Sequence, residues 1–230
     1  MRIACVSDLH GKLPKIEICE LLIIAGDICP HFCSYYGRPG DINDVCGQAQ
    51  WLGSVFKDWL DAVPAEEIVA VLGNHDWIGE KRPSLIPNLR WHLLHDSSVF
   101  INGLCIYGSP YQPRFMDWAF NLDEPELKKK WDLIPEDTDI LIVHGPPYLH
   151  GDLTIDGIHT GSPSLLDRIK IIKPRLSVHG HIHSARSVIE YERGDIGKGI
   201  IVNASVLDED YQLVNAPLYF DINVEKKSIV

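Results

Sequence analysis

Eight short apolar runs recur along the chain, and most of them stop at or close to a Gly, Asp, Asn or Pro. They are Ile3–Val6, Leu21–Ala25, Ile68–Leu72, Leu104–Tyr107, Ile140–Val143, Leu176–Val178, Ile200–Val202 and Leu218–Ile222. Runs this short, rich in branched side chains and bounded by turn residues, read as buried strands. Helical patterns lie between several of them. Trp51, Leu52, Val55, Phe56, Trp59, Leu60 and Val63 fall on one helical face. Ser162-Pro163 supplies an N-cap and a first-turn proline for a helix to about Ile172, which Pro174 stops. Glu124–Leu133 is a third, shorter candidate. Alternation of strands and helices predicts an α/β fold. The strands after Gly180 succeed one another without an obvious helix, so a purely parallel sheet is not expected. The least regular stretches, Pro30–Asp44 and Gly108–Asp123, do not read as flexible linkers, and one domain spanning 1–230 is expected.

The residues immediately after the apolar runs carry the chemistry. Ser7-Asp8-Leu9-His10 comes after the first, Gly26-Asp27 after the second and Gly73-Asn74-His75-Asp76 after the third. His144-Gly145-Pro146-Pro147 comes after Val143, and His179-Gly180-His181-Ile182-His183 after Val178. Taken singly, each is an ordinary turn, helix cap or buried histidine. Open α/β sheets bind ligands beyond the carboxyl ends of their strands, so five such ends would build one polar cluster. Asp8, His10, Asp27, Asn74, His144, His181 and His183 offer oxygen and imidazole donors and no thiolate. That set suits Mn, Fe, Zn or related divalent ions. Seven donors are too many for one ion and enough for two that share a carboxylate. Paired metals activate a water and neutralise the charge developing on a phosphoryl group.

The chain carries 21 Lys plus Arg against 32 Asp plus Glu, a formal net charge of −11, which argues against duplex nucleic acid or an anionic membrane as partner. Cys29 and Cys33 form one close pair, with no second pair to complete a four-ligand zinc site. The start of the chain lacks a signal-peptide core and no run approaches a transmembrane length, so a cytoplasmic protein with reduced thiols is expected.

In its motifs D-x-H, G-D, G-N-H-D/E, His-Gly and G-H-x-H, the sequence resembles the calcineurin-like metallophosphoesterase superfamily. They stand here as Asp8-Leu9-His10, Gly26-Asp27, Gly73-Asn74-His75-Asp76, His144-Gly145 and Gly180-His181-Ile182-His183. Ile106-Tyr107-Gly108-Ser109-Pro110, the Trp131–Pro135 run, His144-Gly145-Pro146-Pro147 and Asn203-Ala204-Ser205 resemble one branch. It is that of the fetal-brain metallophosphoesterase-domain proteins, often grouped with class III cyclic-nucleotide phosphodiesterases. Some vertebrate members have Gly at the first His of G-H-x-H; this sequence keeps His181.

The resemblance implies a four-layer α/β/β/α sandwich of two packed mixed β-sheets. It implies two divalent ions, manganese first, with iron, zinc, nickel, cobalt or magnesium as alternatives. Asp8, His10, Asp27 and His183 would hold one ion. Asp27 would bridge to the other, completed by Asn74, His144 and His181. His75 would stabilise or protonate the leaving oxygen, and Asp76 would orient and charge its imidazole. The expected activity is hydrolysis of a small phosphodiester or nucleotide through a metal-bridging hydroxide. A phosphomonoesterase, including a protein serine/threonine phosphatase, and a non-catalytic metal-binding scaffold are the alternatives. Tyr111, Phe115, Trp118, Phe120 and Tyr148 are candidate stacking residues for a base, and Arg114 a candidate phosphate contact. His179 reads as a packed strand histidine, while His31, His92, His95, His150 and His159 have no assigned role.

Overall fold

A computed structural model describes residues 1–32, 39–224 and 228–229. The chain opens with β1 (Arg2–Val6) and β2 (Cys19–Ala25). Helix α1 (Ile42–Trp51) then runs through a π-turn at Leu52–Phe56 into α2 (Lys57–Ala62). Next come β3 (Ala65–Val71), α3 (Trp77–Lys81), β4 (His92–Leu93), β5 (Ser97–Ile101) and β6 (Leu104–Ser109). A short pair, β7 (Gln112–Pro113) and β8 (Asn121–Leu122), precedes α4 (Glu124–Trp131) and β9 (Ile140–Val143). The chain continues through α5 (Pro163–Ile172), β10 (Leu176–His179), β11 (Ser187–Glu192), β12 (Lys198–Asn203), β13 (Leu218–Asn223) and β14 (Ser228–Ile229).

Two six-stranded sheets result, with orders β14-β13-β1-β2-β3-β4 and β11-β12-β10-β9-β6-β5. Each has a parallel centre. In the first, β13 runs antiparallel to β1, and in the second β11 and β5 run antiparallel to β12 and β6. Both sheets are therefore mixed.

The period of two along each strand divides the core into layers. Ile3, Cys5, Leu21, Ile23 and Val69 point from the first sheet toward Ile106, Ile140, Ile142, Val178 and Val202 of the second. Ala4, Val6, Leu22 and Ile24, on the opposite face, pack under Leu52, Phe56 and Leu60. On the far side, Leu141, Val143 and Ile201 meet Leu127 and Trp131 of α4 and Leu165 and Ile169 of α5. The order is helix, sheet, sheet, helix, the four-layer α/β/β/α sandwich. Each Val, Leu, Ile or Phe side chain so buried contributes about 1.5–3 kcal/mol.

All eight apolar runs are strands. β5 and β11 are edge strands whose outward residues are exposed, so they carry no continuous apolar run. The first helix starts at Ile42, inside a stretch that reads as irregular; Asp41 caps it by accepting from the Asn43 and Asp44 amides. The π-turn then shifts the helical face. Leu52, Phe56 and Leu60 stay buried, but Val55, expected on that face, is 51% exposed. α5 forms as its sequence predicts: Ser162 Oγ accepts from the Leu165 amide, and Lys173 ends the helix in a left-handed conformation. Among the described residues no helix is long and apolar enough to cross a membrane. Cys29 is a buried free thiol; Cys33 lies outside the described residues.

Candidate metal centre

The parallel strands aim their carboxyl ends at the seam between the sheets. β1 delivers Asp8 and His10, β2 Asp27, β3 Asn74, β9 His144 and β10 His181 and His183. A backbone contact stitches the seam, the Ser7 amide donating to the Ala204 carbonyl at 2.9 Å, while the Gly180 amide donates to the His144 carbonyl at 3.1 Å within the second sheet. The Asp8 carboxylate accepts from the His181 amide at 2.9 Å. Residues 173 positions apart are thereby fixed side by side.

Four of the seven candidate donors sit in the left-handed backbone region: Asp8 (φ 56°), His10 (φ 40°), Asp27 (φ 51°) and His181 (φ 71°). Such residues cost energy and persist where the surrounding structure over-determines them, which is common at functional sites. Two glycines keep the approach open. A Cβ on Gly180 would lie 2.0 Å from Ser7 Oγ and 2.3 Å from Asp8 Oδ2; one on Gly73 would lie 2.3 Å from Asp27 Oδ1. Gly180→Ala is accordingly expected to displace the Asp8 carboxylate and to weaken divalent-metal affinity by about ten- to a hundredfold. Isothermal titration of the stripped variant with Mn²⁺ measures this, and wild-type affinity would show that the seam tolerates the shift.

Asp27 is the hub. Its Oδ2 lies 3.4 Å from His10 Nε2, 3.4 Å from His144 Nε2 and 3.9 Å from His75 Nε2. Asp8, His10 and His183 bring one donor atom each within 4.8 Å of one another, and so do Asp8, Asp27 and His144. Asn74 Oδ1 lies 2.8 Å from both His144 Nε2 and His181 Nδ1. The structure thus brings together all seven side chains singled out in the sequence, in two adjoining sets.

The chemistry of these donors fits divalent metal. Both ring nitrogens of His10 are buried without a hydrogen-bond partner, an arrangement that costs energy unless an acceptor of lone pairs sits there. His144 Nδ1 lies 2.9 Å from the Ala25 carbonyl, and His183 Nδ1 lies 2.9 Å from the Asp208 carbonyl. A ring held through Nδ1–H on a backbone carbonyl presents its Nε2 lone pair to the site, the usual second contact of a metal-binding histidine.

Burial and the Asp27 charge set the protonation of the metal-free site. Burial pushes His10 well below the ordinary imidazole range, although Asp27 opposes it. Burial and the neighbouring His144 take His181 down to about 3. Burial alone would lower His144 too, but Asp27 and Asp8 outweigh it and hold this ring up at about 9. Burial works to raise Asp27, and His144 and His75 overcome it, keeping its carboxyl well below the usual range.

His75 stands beside the two sets. It is 8% exposed, its amide donates to Asp27 Oδ1 at 2.7 Å, and burial lowers its imidazole to about 4. The expectation that Asp76 orients this ring is corrected by the geometry. The Asp76 carboxylate accepts from the amides of Ile28, Cys29 and Gly73 at 2.8–3.1 Å. It ties the loop after β2 to the loop after β3. The nitrogen facing His75 Nδ1, at 2.6 Å, is instead His31 Nε2. Trp118 covers the His75 ring at 4.0 Å between centroids.

A cavity of about 260 Å³ opens onto Asp27, Asn74, His75, His181 and His183. Arg114 and Phe115 line it, although the Arg114 guanidinium is paired with Asp123 at 2.7 Å. Tyr111 and Tyr148, expected near the substrate, lie outside the cavity lining. Tyr111 packs against Phe120 and under the Lys130 ammonium, and Tyr148 against His159. Phe120 is itself buried. His179 is fully buried at the end of β10, with both ring nitrogens unpartnered and burial lowering its imidazole to about 3.

Tyr211 is a lining residue that the sequence reading missed. It has φ 57°, and its ring stands edge-on to His10 and His183 at 4.8 and 5.2 Å. No local motif marks it, since it reaches the site only through the return of the chain after β12.

Comparison with known proteins matches this frame. Metallophosphoesterase domain-containing protein 1 of Homo sapiens is 32% identical over 257 residues, covering 99% of this chain and 72% of that protein. A UPF0046 protein of Caenorhabditis elegans is 28% identical, covering 97% and 60%. One solved crystal structure shares the fold with a TM-score of 0.59 at 14% identity, covering 100% of this chain and 97% of its own. TT1561 of Thermus thermophilus does so at 0.50 and 13%, covering 100% and 96%. The family model for calcineurin-like phosphoesterases matches residues 1–185, from the first strand through the final His183, and the chain belongs to that family.

Proposed function

We propose that this protein is a dinuclear-metal phosphoesterase acting on a small phosphodiester. The observation that carries the reading is the arrangement around Asp27, whose Oδ2 lies 3.4 Å from His10 of one donor cluster and 3.4 Å from His144 of the other, with His75 Nε2 facing it at 3.9 Å. Family membership supports a metal-dependent hydrolase of phosphoesters. The small substrate draws support from the net charge of −11 and from a cavity of about 260 Å³, near the lower end of small-molecule sites, and the diester preference from the resemblance to the class III cyclic-nucleotide phosphodiesterase-like branch.

Asp8, His10, Asp27 and His183 would hold one ion, and Asp27, Asn74, His144 and His181 the other. Two divalent ions, manganese foremost, would neutralise the phosphoryl oxygens and lower the pKa of the attacking water. The side chains do the rest. Asp27 balances the charge of the donor cluster. His75 Nε2, at the cavity wall, donates its proton to the departing alkoxide. The Asp76 carboxylate locks the two loops that carry Asp27 and His75.

Steady-state hydrolysis of bis(p-nitrophenyl) phosphate by stripped protein titrated with Mn²⁺ tests the reading. Saturable activation is expected, exceeding that on p-nitrophenyl phosphate. Activity on the monoester alone would favour a phosphomonoesterase, and no activity on either would sink the proposal. His75→Ala is expected to lower kcat about 10²- to 10⁴-fold on an ester with a poor leaving group. Metal content by mass spectrometry should stay at the wild-type value, because His75 belongs to neither donor set.

A further inference from the structure

Beside the donor cluster, the same cavity is walled by Pro113, Phe115, Ile155, Ile182 and Tyr211. None of these five belongs to a donor set, and they come from separate loops after β7, β9, β10 and β12. Phe115 is 53% exposed and Ile155 is 74% exposed. Large apolar side chains facing water next to a polar centre are where a cavity receives an apolar group.

A tied hairpin holds Ile155 in place. The Thr154 amide donates to the Ile158 carbonyl at 3.0 Å, the Gly157 amide to the Thr154 carbonyl at 2.9 Å and the Thr160 amide to the Asp152 carbonyl at 3.2 Å. Gly157 takes the φ of 76° that the turn requires. Buried Asp152 clamps the base: its carboxylate accepts from the Leu149 and Gly161 amides at 3.0 Å each and lies 2.7 Å from His159 Nδ1. Turn tips ordinarily carry polar residues, yet Ile155 and Ile158 stand exposed at this one. So many bonds keep the tip from folding its isoleucines into the core, and Ile155 stays presented to the cavity.

The polar groups of this wall are already engaged. The Thr154 hydroxyl donates to the Ile158 carbonyl and accepts from the Ile158 amide, both at 3.2 Å. The Thr160 hydroxyl donates to the Asp152 carbonyl at 3.3 Å. Glu209 Oε1 accepts from the Ser184 amide at 2.8 Å, and Arg114 Nε donates to Asp123 Oδ1 at 2.7 Å. A base or sugar seated here would bury hydrogen-bonding edges against groups committed elsewhere, which weakens binding. The Glu209 carboxylate, on the same wall, opposes a second anionic group.

Resting on the phosphoesterase reading above, we infer that the substrate is a phosphodiester with one uncharged hydrocarbon arm, seated against Phe115, Ile155 and Tyr211 while its phosphoryl group meets the donor cluster. A diester suits the place, since it carries a single negative charge for the cluster and a second ester arm for the wall. The hairpin tip is a specificity element. It adds affinity by burying apolar surface, and Asp152 has ordered it before the substrate arrives, so little entropy is lost on binding.

Phosphinates, which have no ester bond to hydrolyse, test the wall without turnover. In calorimetric titration of the Mn²⁺-loaded protein, hexyl(methyl)phosphinate is expected to bind about ten- to a hundredfold more tightly than dimethylphosphinate. Each buried methylene is worth about fourfold, and the outer end of the chain stays in water. Replacing both wall residues, Phe115→Ser with Ile155→Ser, should cut the ratio to about threefold or less. Both positions are exposed, so the double variant should keep its fold. Equal affinities in the wild type, no binding of either phosphinate, or a ratio that the double variant leaves unchanged would overturn the inference. In turnover, hexyl p-nitrophenyl phosphate should exceed p-nitrophenyl thymidylate about tenfold in kcat/KM. A preference for the nucleoside ester would overturn it as well. If neither these esters nor methyl p-nitrophenyl phosphate is hydrolysed, the phosphoesterase reading fails, while the phosphinate ratio still decides the role of the wall.

Discussion

Asp27→Asn is expected to abolish stable metal binding and to reduce phosphoester hydrolysis by about a thousandfold or more. The carboxylate faces three imidazoles within 3.9 Å, and its Oδ1 also accepts the His75 amide. Asp8 also belongs to both donor clusters, but it is Asp27 Oδ2 that lies 3.4 Å from an imidazole of each. The amide is nearly the same size, so the packing around β2 is retained while the negative charge is lost. That charge is what holds the His144 ring up at about 9 against its burial. Metals contribute several kcal/mol of transition-state stabilisation, and about 1.4 kcal/mol is a factor of ten, which sets the thousandfold scale. Metal content per chain and kcat at saturating Mn²⁺ would be measured together. Retention of two ions with wild-type kcat would show that Asp27 does not bridge.

The stripped protein should also be unusually sensitive to mild acid. Burial holds His75 at about 4, His179 and His181 at about 3, and His10 well below its ordinary value. In the unfolded chain each titrates near 6.5. Between those limits the unfolded state binds protons that the folded state refuses, so stability is fully present above about 6.5 and falls as the pH drops. Two carboxyls work the other way. Burial and the charge of Asp27 raise Asp76 to about 6, and burial raises Asp8, so the fold takes up protons there as pH falls. Four imidazoles against two carboxyls leave about two protons, a slope of about 3 kcal/mol per pH unit. From about pH 6.5 to about 4 that removes about 7 kcal/mol, enough to unfold a domain at the lower end of the usual range of about 5–15 kcal/mol.

His144 adds a shallower limb on the alkaline side. Its folded pKa of about 9 lies above the unfolded value, so its contribution is present below about 6.5 and is lost as the pH rises through 9. Urea melts followed by circular dichroism from about pH 4 to 9 should give maximum stability near 6.5 for the stripped protein. A profile flat from about 6.5 to 4 would mean that water reaches these rings and that they are not held neutral.

Most of the fold, and the clustering of the candidate donors, was legible along the chain because both are written locally. Ile3–Val6, Leu21–Ala25 and Ile140–Val143 are apolar on both faces because each strand is buried between two layers. A ligand at the carboxyl end of such a strand has to come within a few residues of it, so Asp8, Asp27, Asn74 and His144 are found by position alone. The edge strands β5 and β11 were harder to read because half of each faces solvent, and Val55 was misplaced because the π-turn is a departure from regular helical spacing.

Side-chain partners across loops are a different matter. Asp76 is adjacent to His75 in the chain, yet its carboxylate turns to amides 47 and 48 positions away. His31, 44 positions away, comes to the imidazole instead. Tyr111 and Tyr148 look like cavity aromatics in sequence and pack elsewhere, whereas Phe115 and Tyr211 line the wall. The sequence alone determined the alternation of strands and helices, the single edge at which the polar residues gather, and the oxygen and imidazole character of the centre. Only the tertiary structure decided which loop supplies the partner of His75 and which aromatic residues face the cavity. Strand burial and ligand type are set by residue chemistry within a few positions, but a hydrogen-bond partner is chosen by the three-dimensional path of two loops held together by Asp76.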